Sequence, residues 1–248
     1  MNLEICVDSL ASVQVCARAG ADRIELCAGL VEGGTTPSIG FLHAARRMFP
    51  GKIMVMLRPR AGDFAYSNDE FELMLDEIDF LRRSGADGIV CGMLTPDGAI
   101  DCRRLKIIMA KASGLDLTFH RAFDVSRDLS ESLEALIACG VPRVLTSGGQ
   151  PHVMDGLDCL TLLAKQAAGR ICLLPGGGVK PEFIPEILRR SGVTEVHLSA
   201  RVAVASPMLY RRPDIPMGAA TVPDEYARKT ASEETIRAAL EALASMGG

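Results

Sequence analysis

No stretch of this 248-residue chain holds enough consecutive apolar residues to cross a bilayer, which takes about 20, so no membrane-spanning helix is expected. There is no basic excess either: 27 Lys and Arg stand against 31 Asp and Glu, for a net charge of −4. A nucleic-acid partner, which calls for a basic patch or stripe, is therefore not expected. C-x-x-C is absent, which argues against a structural zinc knuckle or a thioredoxin-like redox pair. The opening "MNLEICVDSL" has Glu4 and Asp8 but no basic segment, so no signal peptide is expected there. Most of the eight cysteines lie in apolar strand or helix patterns. The expected setting is a reduced, cytoplasmic one with buried thiols. No G-x-G-x-x-G follows the first strand, which counts against a dinucleotide-binding sheet.

What is present is a core and a repeat. Apolar residues make up 48% of the chain, enough for a large buried interior. "AGADRIEL", "SGADGIV", "CGVPRVL" and "SGVTEVHL" are four copies of one junction, in which an amphipathic helix ends on a glycine and a short apolar strand follows. Glycine suits the left-handed position that closes a helix, and the Val/Ile/Leu run suits a buried parallel strand. This reading predicts strands at Leu3–Val7, Arg23–Cys27, Ile53–Leu57, Gly88–Cys91, Asp116–His120, Arg143–Thr146, Ile171–Leu174 and Glu195–Leu198. Helices fill the intervals, and a last one, "SEETIRAALEALASM", starts at Ser232. Eight strand–helix units in a chain of this length predict a (β/α)8 TIM barrel, an α/β fold, as a single domain over residues 1–248. Two loops break the regularity: "AGLVEGGTTPS", and an excursion over about residues 203–230 without clear periodicity. Both fall on the C-terminal rim, where barrels build their sites.

Strand side chains alternate between the helices and the lumen. Ile24 and Leu26 form an apolar parity, so Arg23, Glu25 and Cys27 point inward. Glu4 and Cys6 on the first strand, and Glu195, His197 and Ser199 on the eighth, repeat the pattern. Arg58 and Arg60 share one parity in "RPR", with Asp63 just after. Buried charge must be paired or reach solvent. One reading is an internal ion-pair network, such as Glu25 with Arg58, that serves only the fold. The other is a polar pocket at the barrel mouth. "TFHRAFD" ends the fifth strand: His120 is a candidate acid–base group, and Asp124 is placed to orient it or to pair with Arg121. "LTSGGQ", with Ser147, and "LPGGGV", with Gly176, Gly177 and Gly178, are turns whose backbone N–H groups suit a phosphate; the plainer alternative is a tight turn that needs glycine. Ser199 and Arg201, from "SAR", suit the same anion. Cys6 and Cys27 lie on adjacent strands with the same parity, which suits a soft ion such as Cu(I) as well as two ordinary buried thiols.

"LEICVDS", "GADRIELC", "EGGTTPS", "RPRAGDFAYS", "LTFHRAFD", "RVLTSG", "PGGGV", "EVHLSAR" and "MGA" together resemble the CutC family of copper homeostasis proteins, over roughly residues 2–220. Ala61 stands where the family commonly has glycine. The resemblance implies a cytoplasmic (β/α)8 barrel that forms homodimers and handles copper, and places Cys6 and Cys27 at the positions of cysteines tied to Cu(I) in animal members.

Two functions are expected from these residues. The first is copper homeostasis, with Cys6 and Cys27 binding Cu(I). The second is an enzyme acting on a small anionic or phosphorylated metabolite. There Arg58, Arg60 and Arg121 would hold the anion with the Gly176–Gly178 turn, Glu4 or Glu25 would act as base and His120 as acid, with Arg23, Asp63, Asp124, Ser147, His197 and Ser199 around them. A third role, a dimer interface, is expected of "RRPDIPMG" at residues 211–218.

Overall fold

The computed structural model describes residues 1–212, 214, 215 and 226–247. Eight parallel strands form one sheet: β1 (Asn2–Val7), β2 (Arg23–Leu26), β3 (Lys52–Met56), β4 (Gly88–Cys91), β5 (Asp116–Phe119), β6 (Arg143–Thr146), β7 (Cys172–Pro175) and β8 (Glu195–Leu198). The hydrogen-bonded order runs β7-β6-β5-β4-β3-β2-β1-β8. β7 and β8 stand side by side and bring the sheet's two ends together, giving a nearly closed (β/α)8 barrel. Around it run α1 (Leu10–Ala19), α2 (Ile39–Met48), α3 (Asn68–Arg83), α4 (Cys102–Lys111), α5 (Leu129–Cys139), α6 (Leu157–Ala167), α7 (Ile184–Ser191) and α8 (Glu233–Ser245). None of the helices among the described residues is long and apolar enough to cross a membrane.

The four junction glycines behave as their sequence requires: Gly20, Gly85, Gly140 and Gly192 all have positive φ, from 69° to 92°. The side chain of Ser232 accepts a bond from Thr235 N–H and so caps α8. In two of the junctions an aspartate ties strands together as well. Asp22 accepts the N–H of Leu3, and Asp87 that of Ile53, both at 2.8 Å.

The two parities separate into two interiors. Leu3, Ile5, Val7, Ile24, Leu26, Ile53, Val55, Ile89, Phe119, Val144 and Val196 pack against the helices in the main core. The lumen holds a small apolar cluster, Cys27, Met54, Met56 and Val90, and otherwise polar groups. The excursion after β8 departs from the expectation of an irregular loop. β9 (Arg201–Ala205) and β10 (Ala227–Ala231) form an antiparallel hairpin. Its alternation, "RVAVA", is short and leaves Val202 and Val204 exposed, so its pattern does not mark a buried strand. Pro213 and residues 216–218 of the expected interface segment lie outside the described residues, as does "MGA".

Candidate functional site

Polar groups in the lumen sort by height. At the N-terminal ends of the strands they satisfy one another. Arg23 bonds to Glu4 and, at 2.6 Å, to Glu195. Arg143 joins Glu195 at 3.0 Å to Asp116 at 3.1 Å and also reaches Thr118. Asn2 donates to the other oxygen of Glu195. This is the internal ion network that a charged lumen demands, but with other partners than the Glu25–Arg58 pair expected from parity. Arg23 and Glu4 belong to it and do not line the cavity above.

That cavity, about 450 Å³, opens at the C-terminal end of the barrel, within the range of small-molecule sites. Cys6, Glu25, His120 and His197 line its depth. Arg58, Phe64, Arg121, Gly177, Gly178, Ser199 and Arg201 form its walls together with Leu30, Glu32, Met56 and Leu145. A donor atom from each of Cys6, Glu25 and His197 lies within 4.8 Å of the other two. Register explains the grouping: the parallel ladder places Cys6 opposite Glu25, and Glu4 opposite His197.

The same register sets Cys27 diagonal to Cys6, on the neighbouring strand and outside the Cys6–Glu25–His197 group. Cys27 stands two residues beyond Glu25, about 6.6 Å further along the strand direction. It is fully buried among Met54, Met56 and Val90, and its sulfur lies 3.5 Å from Glu25 Oε2. Burial and the neighbouring Glu25 raise its pKa well above the ordinary thiol value.

His197 bridges two carboxylates. Its Nδ1 donates to Glu4 Oε1 at 2.7 Å, and Nε2 lies 3.9 Å from Glu25 Oε2. Burial disfavours charge on the ring, but Cys6, Glu25 and Glu4 outweigh it and raise the pKa well above the usual imidazole value. Burial likewise works to raise Glu4, yet the His197 hydrogen bond and the charge of Arg23 bring it down to about 2. Glu25 has no such surplus of cations, and burial keeps its pKa raised. One carboxylate is thus fixed as an anion, while the other is held nearer to its protonated form.

His120 is the opposite case. Its Nδ1 accepts the N–H of Ala122 at 3.1 Å, so the neutral ring carries its proton on Nε2. Nε2 is buried without a partner, as is Glu25 Oε1. Gly92 makes room for the ring: a Cβ there would meet it at 2.5 Å. Burial, then the charge of Arg58, lowers the His120 pKa to about 3. Because a free histidine takes its proton near 6.5, the stability that neutral His120 contributes is complete above pH 6.5. It is lost as pH falls toward 3. His120→Gln, which keeps an uncharged amide near Nε2, is expected to reduce the acid sensitivity of urea unfolding by up to about 3 kcal/mol between neutral pH and about pH 4. An unchanged pH profile would show that the ring is solvated.

Other expected site residues are engaged elsewhere. Arg58 lines the cavity; its guanidinium donates to the carbonyls of Glu32, Gly34 and Gly62 at 2.8–2.9 Å and so fastens loops together, while its Nε is buried without a partner. Arg60 and Asp63 leave the site altogether. They pair with each other at 3.0 Å, and Arg60 pairs with Glu70 at 2.5 Å near the start of α3. Asp124 does not orient His120. It pairs with Arg121 at 2.7 Å and accepts bonds from Thr146, Ser147 and Gly149, which fixes the loop after β6. Ser147 is fully buried in that arrangement. Gly176 donates to Thr146 and lies behind the cavity wall, while Gly177 and Gly178 face it. Phe64, Leu145, Met56 and Leu30 were not foreseen in the lining; apolar side chains on loops and strand ends carry no chemical signal that sets them apart from core.

With this geometry in hand, comparison with known proteins gives a consistent answer. The CutC family model matches residues 1–202. The chain belongs to the CutC family. A family protein CutC of Porphyromonas gingivalis is 45% identical over 243 residues, covering 98% of this chain and 98% of its own length. The human protein named copper homeostasis protein cutC homolog is 45% identical over 235 residues, covering 95% of this chain and 86% of its own. Among solved structures, CutC of Streptococcus agalactiae superposes with a TM-score of 0.76 at 32% identity, over 80% of this chain and 98% of its own. This CutC chain therefore shares its fold and nearly its whole length with proteins named for copper homeostasis.

Proposed function

We propose that this CutC protein serves copper homeostasis by binding Cu(I) at the floor of the barrel mouth, with the Cys6 thiolate and the His197 imidazole as ligands. The observation that carries this is the buried Cys6–Glu25–His197 cluster, whose donor atoms all lie within 4.8 Å of one another. Ligand bonds of about 2.0–2.3 Å put two donors on one ion at that kind of spacing. Thiolate and imidazole suit a soft monovalent ion better than a hard divalent one. Glu25 Oε2 lies 3.9 Å from His197 Nε2, placed to take up a proton displaced from the ring. The copper named in the human relative supports the choice of metal. All eight cysteines are free thiols, which supports a reducing, cytoplasmic setting. Exposed Val202, Val204, Met208, Leu209 and Tyr210 on and after β9 support pairing of two copies into a dimer.

Anaerobic competition with a chromogenic Cu(I) chelator tests the reading. One Cu(I) per chain is expected. Cys6→Ser is expected to weaken binding at least about a hundredfold, beyond what an outer-shell change costs, and Cys27→Ser by less than about tenfold. Wild-type affinity in Cys6→Ser would sink the proposal. A larger loss in Cys27→Ser than in Cys6→Ser would move the site to the second sulfur.

A further inference from the structure

We propose that the same cavity also binds a small phosphate monoester, its phosphate on the Gly177–Gly178 turn with Ser199, Arg201 and Arg121, and its hydroxyl or carbonyl end against His120 and Glu25. A lone Cu(I) ion needs a few ligand atoms, and a cavity of about 450 Å³ is far larger than that. The space above the metal cluster is shaped for an organic ligand.

The wall toward β7 and β8 supplies the anion end. Gly177 and Gly178 have φ of 90° and 74°, a succession of left-handed residues that turns neighbouring N–H groups toward one point. Neither N–H meets a carbonyl acceptor among the described residues. Arg201 lines the cavity and forms no ion pair among the described residues. Arg121 spends Nε on Asp124 and Nη2 on Ser147 and Gln150. Its Nη1 lies beside Gly177, 3.3 Å from where a Cβ would stand there, and keeps its donors. Two guanidinium groups, a hydroxyl and two backbone donors outnumber what one carboxylate accepts and match the oxygens of a phosphate.

The depth of the cavity supplies the other end. His120 is 4% exposed and Glu25 3%, and each keeps one polar atom without a partner, Nε2 and Oε1. Buried polar atoms are almost always satisfied, so a donor and an acceptor left open on a cavity wall mark the place of a missing partner. The Nε2 proton calls for an acceptor, a carbonyl or hydroxyl oxygen, and Glu25 Oε1 for a hydroxyl donor, so the far end of the ligand is polar and uncharged. Phe64, whose ring centroid lies 4.9 Å from that of His120, and Leu145 pack the middle. The ligand class is a hydroxylated or carbonyl-bearing phosphate ester of three to five carbons.

Calorimetric titration of the metal-free protein with inorganic phosphate, glycerol phosphate and ribose 5-phosphate, each ester beside its unphosphorylated parent, tests this. The esters are expected to bind more tightly than inorganic phosphate, and the parents not measurably. Arg201→Ala, at the partly exposed rim, is expected to weaken the esters and inorganic phosphate alike by about tenfold to a hundredfold, the worth of a charge-assisted bond. His120→Phe is expected to weaken the esters and leave inorganic phosphate unchanged. Arg201→Ala keeps Cu(I) binding and Cys6→Ser keeps ester binding, so the copper and phosphate sites fail separately. The proposal is overturned if no ester binds at millimolar concentration, if the parents bind as tightly, or if Arg201→Ala binds as well as the wild type.

Discussion

Arg23→Met is expected to lower the free energy of unfolding by about 3–5 kcal/mol, the cost of stripping one partner from a buried ion network. Arg23 lies between Glu4 and Glu195, and all three side chains are nearly or fully buried. Removing the guanidinium leaves His197 as the remaining cation on Glu4 and Arg143 as that on Glu195. For a chain of this size the loss corresponds to a fall in Tm of about 10 °C. The cost lies in the stranded carboxylates, so Arg23→Met combined with Glu195→Gln is expected to recover part of it. The pH dependence carries the same sign. Glu4, held at about 2 in the fold, stabilises the protein above its unfolded value near 4.5, and that stability is lost as pH falls through about 2. The wild type and Arg23→Met should therefore converge in acid. A loss below about 1 kcal/mol, as for an exposed ion pair, would show that water reaches the network.

Cu(I) affinity is expected to climb between tenfold and a hundredfold per pH unit across the neutral range. Binding needs the Cys6 thiolate and a His197 ring nitrogen free of its proton. The raised pKa of His197, opposed by burial but set by Cys6, Glu25 and Glu4, means that its proton must be displaced at neutral pH. Each proton released contributes a factor of ten per pH unit. Glu4→Gln removes the hydrogen-bonded anion at Nδ1, so it should lower the His197 pKa and flatten the profile toward one proton. Competition titrations at three pH values, against a chelator whose own pH dependence is calibrated, read the slope directly. A flat profile would mean that neither His197 nor a thiol gives up a proton, and the proposed ligand set would fall with it.

The barrel was legible because its signals are local. A glycine that must turn left-handed after a helix, followed by a run of β-branched and aliphatic residues, needs no knowledge of distant chain, and the strands fall within a residue or so of where that pattern puts them. Parity was legible for the same reason: Arg23 and Glu25 alternate with Ile24 and Leu26, and the former face the lumen while the latter join the outer core. Parity fails where the strand ends. β3 stops at Met56, so the shared parity of Arg58 and Arg60 carries no directional meaning, and Arg60 turns away to Glu70. Cys27 lies just past the end of β2 and packs into the apolar part of the lumen.

The sequence alone thus determined the (β/α)8 architecture, the inward face of β1, β2 and β8 and many of the residues around the barrel mouth, since these follow from helix closure and from a two-residue repeat. Tertiary structure alone decided which of them meet. The stagger between neighbouring strands sets Cys6 level with Glu25 and His197 with Glu4, and it divides the lumen into a satisfied ion layer below and an unsatisfied cavity above. Stagger is a property of closing the sheet around a packed interior, a sum over all eight strands, and no single stretch of chain encodes it.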